Sequence, residues 1–346
     1  MTSGEIAPGL SPVAEERSKP QMATLSTKHD HERATMTREL VQIPAQGKMI
    51  SVPSVCVNGR TVIATGKWIR MAAVMDEELI EGDSVSDPEL FVSQLKRSDL
   101  QADVFTFAQK VPDSVPKYKY HLEWDNAAVI PITSFSEWLE KRAEYSARKA
   151  IKRAKKLGVE VRLSKFDDTF VEGICRIYND SPVRQGTAFW HYNKDFESVK
   201  RENSTYLDRS TFVGAYYKDE LIGFIKWVNV GPIASMLQII SQKKHFDKKP
   251  TNALIAKAVE ICETMGMSHL VYGRYIYKDQ NSLTEFKRHN GFEQLLLPKY
   301  YIPLTTKGKI ALKLHLHHPV ADWIPQPLLA PLRRIRRLRT QLKPIR

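Results

Sequence analysis

Asn281-Ser282-Leu283-Thr284-Glu285-Phe286-Lys287-Arg288-His289-Asn290-Gly291-Phe292 decides how this chain is read. The run predicts a short helix stopped by Gly291, the residue type that most readily takes the left-handed conformation after a last helical turn. An apolar strand, 292–303, follows it. Two features upstream stand at matching distances. One is a central strand, 235–241. The other is a basic loop, 242–250, that feeds a helix over 251–264. A strand ending in a basic loop and then a helix start makes a site for an anion. First-turn N–H groups lack partners there, and the helix dipole presents its positive end.

Working outward from that run, the order from residue 159 is strand 159–163, helix 167–179, a loop with Pro182 and Gly186, and helix 194–203. Strands 211–217, 221–230 and 234–242 come next, then helix 251–265, strand 268–273, helix 281–289 and strand 292–303. The stretch 134–304 therefore reads as one complete α/β unit. Residues 46–133 read as a weaker copy of it. Asn58-Gly59 between alternating apolar residues marks a hairpin, strands are expected at 68–74, 102–108 and 127–132, and Ser86 or Asp87 caps a helix over 88–96. Five acids between Asp76 and Asp83 predict an exposed turn. A long helix over 137–157, capped by Ser134 or Ser136 and ended by Gly158, carries a basic face. Residues 1–45 are Ser, Thr, Pro, Glu and Lys rich and are expected to be disordered.

At 346 residues the chain is long enough for two modest cores, and 42% hydrophobic with 26% charged is the composition of a globular protein. It contains no apolar run of membrane-spanning length and no secretory h-region, and Cys56, Cys175 and Cys262 have no paired spacing. These features predict a cytoplasmic protein with reduced thiols and no metal. The net charge of +13 is uneven, because residues 305–346 hold ten Lys and Arg against Asp322 alone. This segment reads as a Pro-interrupted basic tail, and 323–346 interleaves apolar residues with arginines as a peripheral contact with an anionic membrane would. The rest is only mildly basic and has no DNA-reading motif.

The element order, with its Asn281…Gly291-Phe292 ending, resembles the GNAT acyltransferase superfamily. Ser146-Ala147-Arg148-Lys149-Ala150-Ile151-Lys152-Arg153-Ala154-Lys155-Lys156-Leu157-Gly158-Val159-Glu160-Val161 resembles the signature joining the two halves of Fem-type (FemAB-like) transferases, which are tandem GNAT-fold proteins. Arg184-Gln185-Gly186 and Phe286-Lys287 fit the same group. The likeness spans about 50–304. It implies a mixed sheet flanked by helices in two tandem GNAT-like halves, with the second more complete. The implied activity is N-acyl transfer from acyl-CoA, acetyl-CoA first, to an amine of a cell-envelope, glycan or related small-molecule or peptide acceptor. Two alternatives remain: tRNA-dependent aminoacyl transfer to a peptidoglycan precursor, and a non-catalytic binding protein at the inner membrane surface.

The resemblance also places a site. Leu237, Ile239, Ile240 and Ser241 match the strand along which the donor's pantetheine lies, with an amide near 239 or 240 facing the developing oxyanion. Lys248, Lys249, Thr251 and Asn252 match the phosphate turn, although the family's glycines are missing there. Asn281 and Phe286 complete the donor side. Lys287 stands where many GNAT enzymes carry a Tyr. Tyr272, Tyr275 and Tyr277 are the alternative acids, and Asp279 is a candidate to orient or deprotonate an amine. Arg184, Trp190 and Tyr192 mark the acceptor loop. His245 and His289 lie near the expected site and are read as surface residues.

Overall fold

In the computed structural model, residues 37–45, 48–184, 186–276 and 281–318 are described. Expectations for 1–36, Gln185, Tyr277, Asp279 and 319–346 lie outside them. Strands β1 (Glu39–Ala45), β2 (Lys48–Val57), β3 (Arg60–Thr65) and β4 (Met71–Val74) pair antiparallel in sequence order. The β2–β3 turn uses Asn58 and Gly59, both at positive φ, as the dipeptide predicts. Helix α1 (Pro88–Arg97) starts on Asp87, whose carboxylate accepts from the Leu90 amide at 3.0 Å. It carries the chain to β5 (Val104–Ala108), parallel to β4. Strand β6 (His121–Pro131) closes this half.

The second half opens with a single turn, α2 (Phe135–Glu137), then α3 (Tyr145–Lys156), β7 (Glu160–Leu163) and α4 (Asp168–Asn179). A small ribbon of β8 (Val183–Arg184) and β9 (Thr187–Ala188) leads to α5 (Phe196–Asn203). Antiparallel strands β10 (Ser210–Tyr217), β11 (Glu220–Val230) and β12 (Ile233–Ser241) follow. Then come α6 (Pro250–Thr264), β13 (His269–Val271), α7 (Asn281–His289), β14 (Glu293–Pro303) and α8 (Thr306–Lys313).

Twelve strands form one sheet in the order β1-β2-β3-β4-β5-β14-β6-β13-β12-β11-β10-β7. It has two parallel pairs, β4/β5 and β12/β13, each joined through a helix. Two strands are exchanged between the halves. β14 lies between β5 and β6, and β6 lies between β14 and β13. Neither half completes its sheet without a strand from the other. Large apolar side chains fill both sides of this arrangement: Phe91, Phe105, Phe107 and Tyr300 around α1, and Trp138, Trp227, Leu254 and Val259 around α6.

Several expectations are corrected. The long helix over 137–157 is interrupted. Residues Trp138–Arg142 form a wider turn in which the Ala143 amide donates to the Trp138 carbonyl, and the Glu144 amide donates to His289 O at 2.9 Å before α3 begins. The break lets the buried Trp138 indole donate to Asn290 O at 3.1 Å, at the end of α7. Gly291, at φ +79°, is the matching piece. A Cβ there would sit 2.9 Å from Trp138 Nε1 and 3.0 Å from the Arg142 carbonyl carbon. Residues 39–45, expected within the disordered leader, form β1. Residues 306–313, expected in the basic tail, form α8, which packs on β14 with Ala311 and Leu312 buried. The acidic turn is not simply exposed. Leu79 is buried against Val228 and Val230, and Glu77 is held by the Ser84 hydroxyl (2.6 Å) and the Ala108 amide (3.1 Å).

Candidate functional site

The parallel pair β12/β13 holds register for three rungs, Ile233–His269, Ala234–Leu270 and Ser235–Val271, and then separates. Two local causes are visible. β12 has a bulge at Leu237, since Gln238 pairs with Lys226 and Met236 with Trp227. A bulge of this kind turns a strand away from its neighbour. β13 meanwhile keeps following β6, with the Tyr272 amide donating to Ala128 O and the Ala128 amide to Gly273 O, both at 2.8 Å. The opening so formed is flanked by Leu237, Gln238, Ile239 and Ile240, all half-buried, and by the exit of β13.

Lys287 of α7 anchors that exit. It is 0% exposed, and its Nζ donates to Tyr272 O at 2.7 Å and also to Arg274 O. It lies 4.2 Å over the Tyr272 ring. Burial pushes its pKa down to about 8. The amine supplies donors that a neighbouring strand would otherwise give. Lys287 thus ties the start of the segment after β13 to α7. Tyr272 and Tyr275 are half-buried on the same exit, and Phe286 packs below them. Asn281 begins α7.

At the far end of β12 the chain passes through a 3-10 turn, Lys243–Lys248, into α6. Lys249 takes the N-cap position at φ +58°, and no side chain caps this end of the helix. Four residues expected to bind phosphate therefore divide. Lys249 is exposed at the helix start. Lys248 turns aside, its Nζ 3.2 Å from Asp247 and 4.9 Å over the Tyr217 ring. Thr251 Oγ1 bonds with Ser241 Oγ at 3.0 Å, and Asn252 donates to Asn290 Oδ1 at 2.9 Å. Those two side chains fix α6 against β12 and α7, and leave backbone amides and Lys249 as the groups suited to an anion.

The acceptor-loop residues gather at this same end. Arg184 donates to Ser241 O at 2.8 Å and to Ile177 O at 2.9 Å, and its guanidinium stacks on Phe189. Trp190 is half exposed beneath Lys194 (4.2 Å), and Tyr192 is half-buried. His245 sits between Tyr217 and Glu220, and burial lowers its pKa. His289 pairs with Glu144 at the surface.

A second space was not legible in the sequence. A cavity of about 790 Å³ lies between the halves. Its walls include Glu77, Asp83 and Lys110 from the first half, and Ser235, Val271, Gly273 and Arg274 from the second, so it reaches the point where β12 and β13 part. Asp125, also in its wall, accepts from Arg274 at 3.1 Å. Lys110 donates to the Glu77 carbonyl, and burial lowers its pKa. The acids of residues 76–83 marked this wall, but only the packing of Leu79 turns them inward.

On the outside, α3 packs against α6 and the 3-10 turn. Its Lys149, Lys152, Arg153, Lys155 and Lys156 are exposed. Among the described residues none of the five has a carboxylate within 4.0 Å. No described helix is long and apolar enough to cross a membrane.

No protein-family model and no curated protein matches this sequence. Solved structures do. The C-terminal domain (DUF2156) of a putative lysylphosphatidylglycerol synthetase from Agrobacterium fabrum superposes with a TM-score of 0.50 at 11% identity, over 76% of this chain and 86% of that one. FemX gives 0.48 at 10% identity, over 80% and 90%. L-PGS from Bacillus licheniformis gives 0.48 at 11%, over 72% and 83%. At such identities the likeness is one of fold. That fold is a large mixed sheet flanked by helices, as the sequence reading expected.

Proposed function

We propose that this chain is an N-acyltransferase. It takes an acyl group from acyl-CoA and passes it to an amine of a cell-envelope, glycan or related small-molecule acceptor. The observation that carries the reading is the parting of β12 from β13 beyond Ser235 and Val271, with the uncapped start of α6 directly after β12. A thioester arm fits along the free edge of β12, and its pyrophosphate fits the first-turn amides of α6 beside Lys249. The acceptor approaches from the cavity between the halves, whose acids hold it as an ammonium. It loses a proton to water, attacks the thioester carbonyl as the neutral amine, and displaces the CoA thiolate, which a tyrosine hydroxyl protonates. Tyr272 and Tyr275 are the proton carriers in this account, and Lys287 positions the strand that bears them. Charge and geometry supply most of the acceleration, since holding two reactants in place is worth at best about 7–11 kcal/mol.

A second reading has its own support. The cations of α3, without carboxylate partners among the described residues, lie on a helix packed against α6 and the turn before it, and the glycines usual in a CoA phosphate loop are missing. Both features suit a larger polyanionic donor, an aminoacyl-tRNA, delivered to the same opening. The basic segment 323–346 suits an acceptor presented at an anionic membrane surface in either case.

Thermal stabilisation separates the donors. A donor at about one hundred times its dissociation constant adds about 2.7 kcal/mol to stability. Coenzyme A and acetyl-CoA are expected to raise the melting temperature by several degrees. A shift with charged tRNA alone selects the second reading. No shift with either leaves the enzyme proposal without a donor and favours a binding protein.

A further inference from the structure

His121 and Glu123 alternate on β6 and therefore share a face. Two residues after α8, the chain turns at His315 (φ +53°), with the Leu316 amide donating to Ala311 O at 2.8 Å, and folds back onto that face. Three imidazoles then converge on a single carboxylate oxygen. His317 Nε2 is 2.7 Å, His318 Nε2 3.0 Å and His121 Nε2 3.4 Å from Glu123 Oε1. His315 stands 6.1 Å from His317, ring to ring. One ligand atom each from His121, Glu123 and His317 lies within 4.8 Å of the others, and the same holds for Glu123, His315 and His318. The His317 side chain is 0% exposed, yet among the described residues its Nδ1 has no hydrogen-bond partner. Several imidazoles gathered on one carboxylate oxygen form a nitrogen–oxygen donor set suited to a transition metal.

We propose that His121, Glu123, His317 and His318 bind a divalent transition metal, zinc in the first instance, that clasps the segment after α8 onto the exchanged strand β6. The donor set decides the class of ion. Imidazole nitrogens with one carboxylate suit zinc, nickel, copper or cobalt, whereas magnesium and calcium demand a shell of oxygens. The size fits too. Zinc–nitrogen bonds of about 2.0–2.1 Å place tetrahedral ligand atoms about 3.3 Å apart, a spacing that small ring rotations reach from here. The site flanks the cavity between the halves without lining it, since Asp125, two residues further along the same strand face, is in the cavity wall and Glu123 is not. Its role is to hold residues 315–318 against β6. The sequence predicted no metal because His121-x-Glu123 and His315-x-His317-His318 lie almost two hundred residues apart and match no compact ligand motif.

The test uses the full chain without an affinity tag, stripped with chelator and titrated with zinc. One equivalent is expected to bind and raise the melting temperature. Cobalt in its place is expected to give the strong visible absorption of a tetrahedral nitrogen–oxygen site. Glu123→Gln, His317→Ala and His318→Ala should each weaken zinc binding at least about tenfold, while His289→Ala leaves it unchanged. If the buried His317→Ala variant fails to fold, His121→Ala and His318→Ala on the open side carry the comparison. No binding at micromolar zinc, or binding that survives in Glu123→Gln and His318→Ala, would overturn the proposal.

Discussion

Two buried lysines show how single residues shape this molecule. Lys287 and Lys226 are both almost wholly buried, and both have their pKa pushed down to about 8 by burial. Lys226 Nζ is saturated, donating to Asn203 O (2.8 Å), Thr205 O (2.7 Å) and Thr205 Oγ1 (2.9 Å). The loop before β10 is thereby tied to the middle of β11. The two states of the chain bind protons differently. Between pH 8 and the ordinary lysine value of 10.5 the unfolded chain keeps a proton that the folded chain has released, so stability rises with pH across that window. The penalty is full below about pH 8 and is gone by about 10.5. Replacing Lys226 by Met removes this contribution. The variant's unfolding free energy, measured in urea from pH 7.5 to 10, should show a slope lower than wild type by up to about 1.4 kcal/mol per pH unit. Identical slopes would mean that Lys226 titrates normally. Neither lysine announced this role. Lys226 sits in a largely apolar strand, and Lys287 in a short helix whose sequence pattern gives its face but not what lies beneath it.

At the scale of elements, α6 and β12 were legible nearly to the residue, and their neighbours less so. The periodicity of 251–264 and the apolar run 235–241 are local signals, and Pro250 marks the helix start unambiguously. The break within 138–144 was not visible, because its cause is the docking of Trp138 on the Asn290 carbonyl, more than 150 residues away in sequence. The bulge at Leu237 has no sequence mark either. Lys249 offers a separation of stability from binding. It holds a left-handed conformation at the helix N-cap, where a side chain costs about 1–2 kcal/mol relative to glycine. Lys249→Gly should fold at least as stably as wild type in denaturant titrations. It should also bind the anionic donor up to about fivefold more weakly, since an exposed ion pair is worth about 0.2–1 kcal/mol. Unchanged affinity would remove Lys249 from the donor site.

Across the whole molecule, the exchange of β6 and β14 is the dominant fact, and it escaped sequence reading because a strand's pattern shows that it is buried, not which neighbour buries it. The order of the elements was legible, and the interlocking of 46–133 with 134–304 was not. Each half lends the strand that completes the other, so the two should not melt apart. Calorimetry is expected to show a single transition with equal calorimetric and van't Hoff enthalpies, whereas two resolved transitions would contradict the interlock. The same exchange bears on function, because β13 leaves β12 by following β6. The opening that would hold a donor is thus a product of both halves. Hydrogen exchange on the full chain, with and without coenzyme A or charged tRNA, tests this most directly. The account predicts slowed exchange confined to the amides of 237–241 and 251–253. Protection elsewhere, or none with either donor, would contradict it.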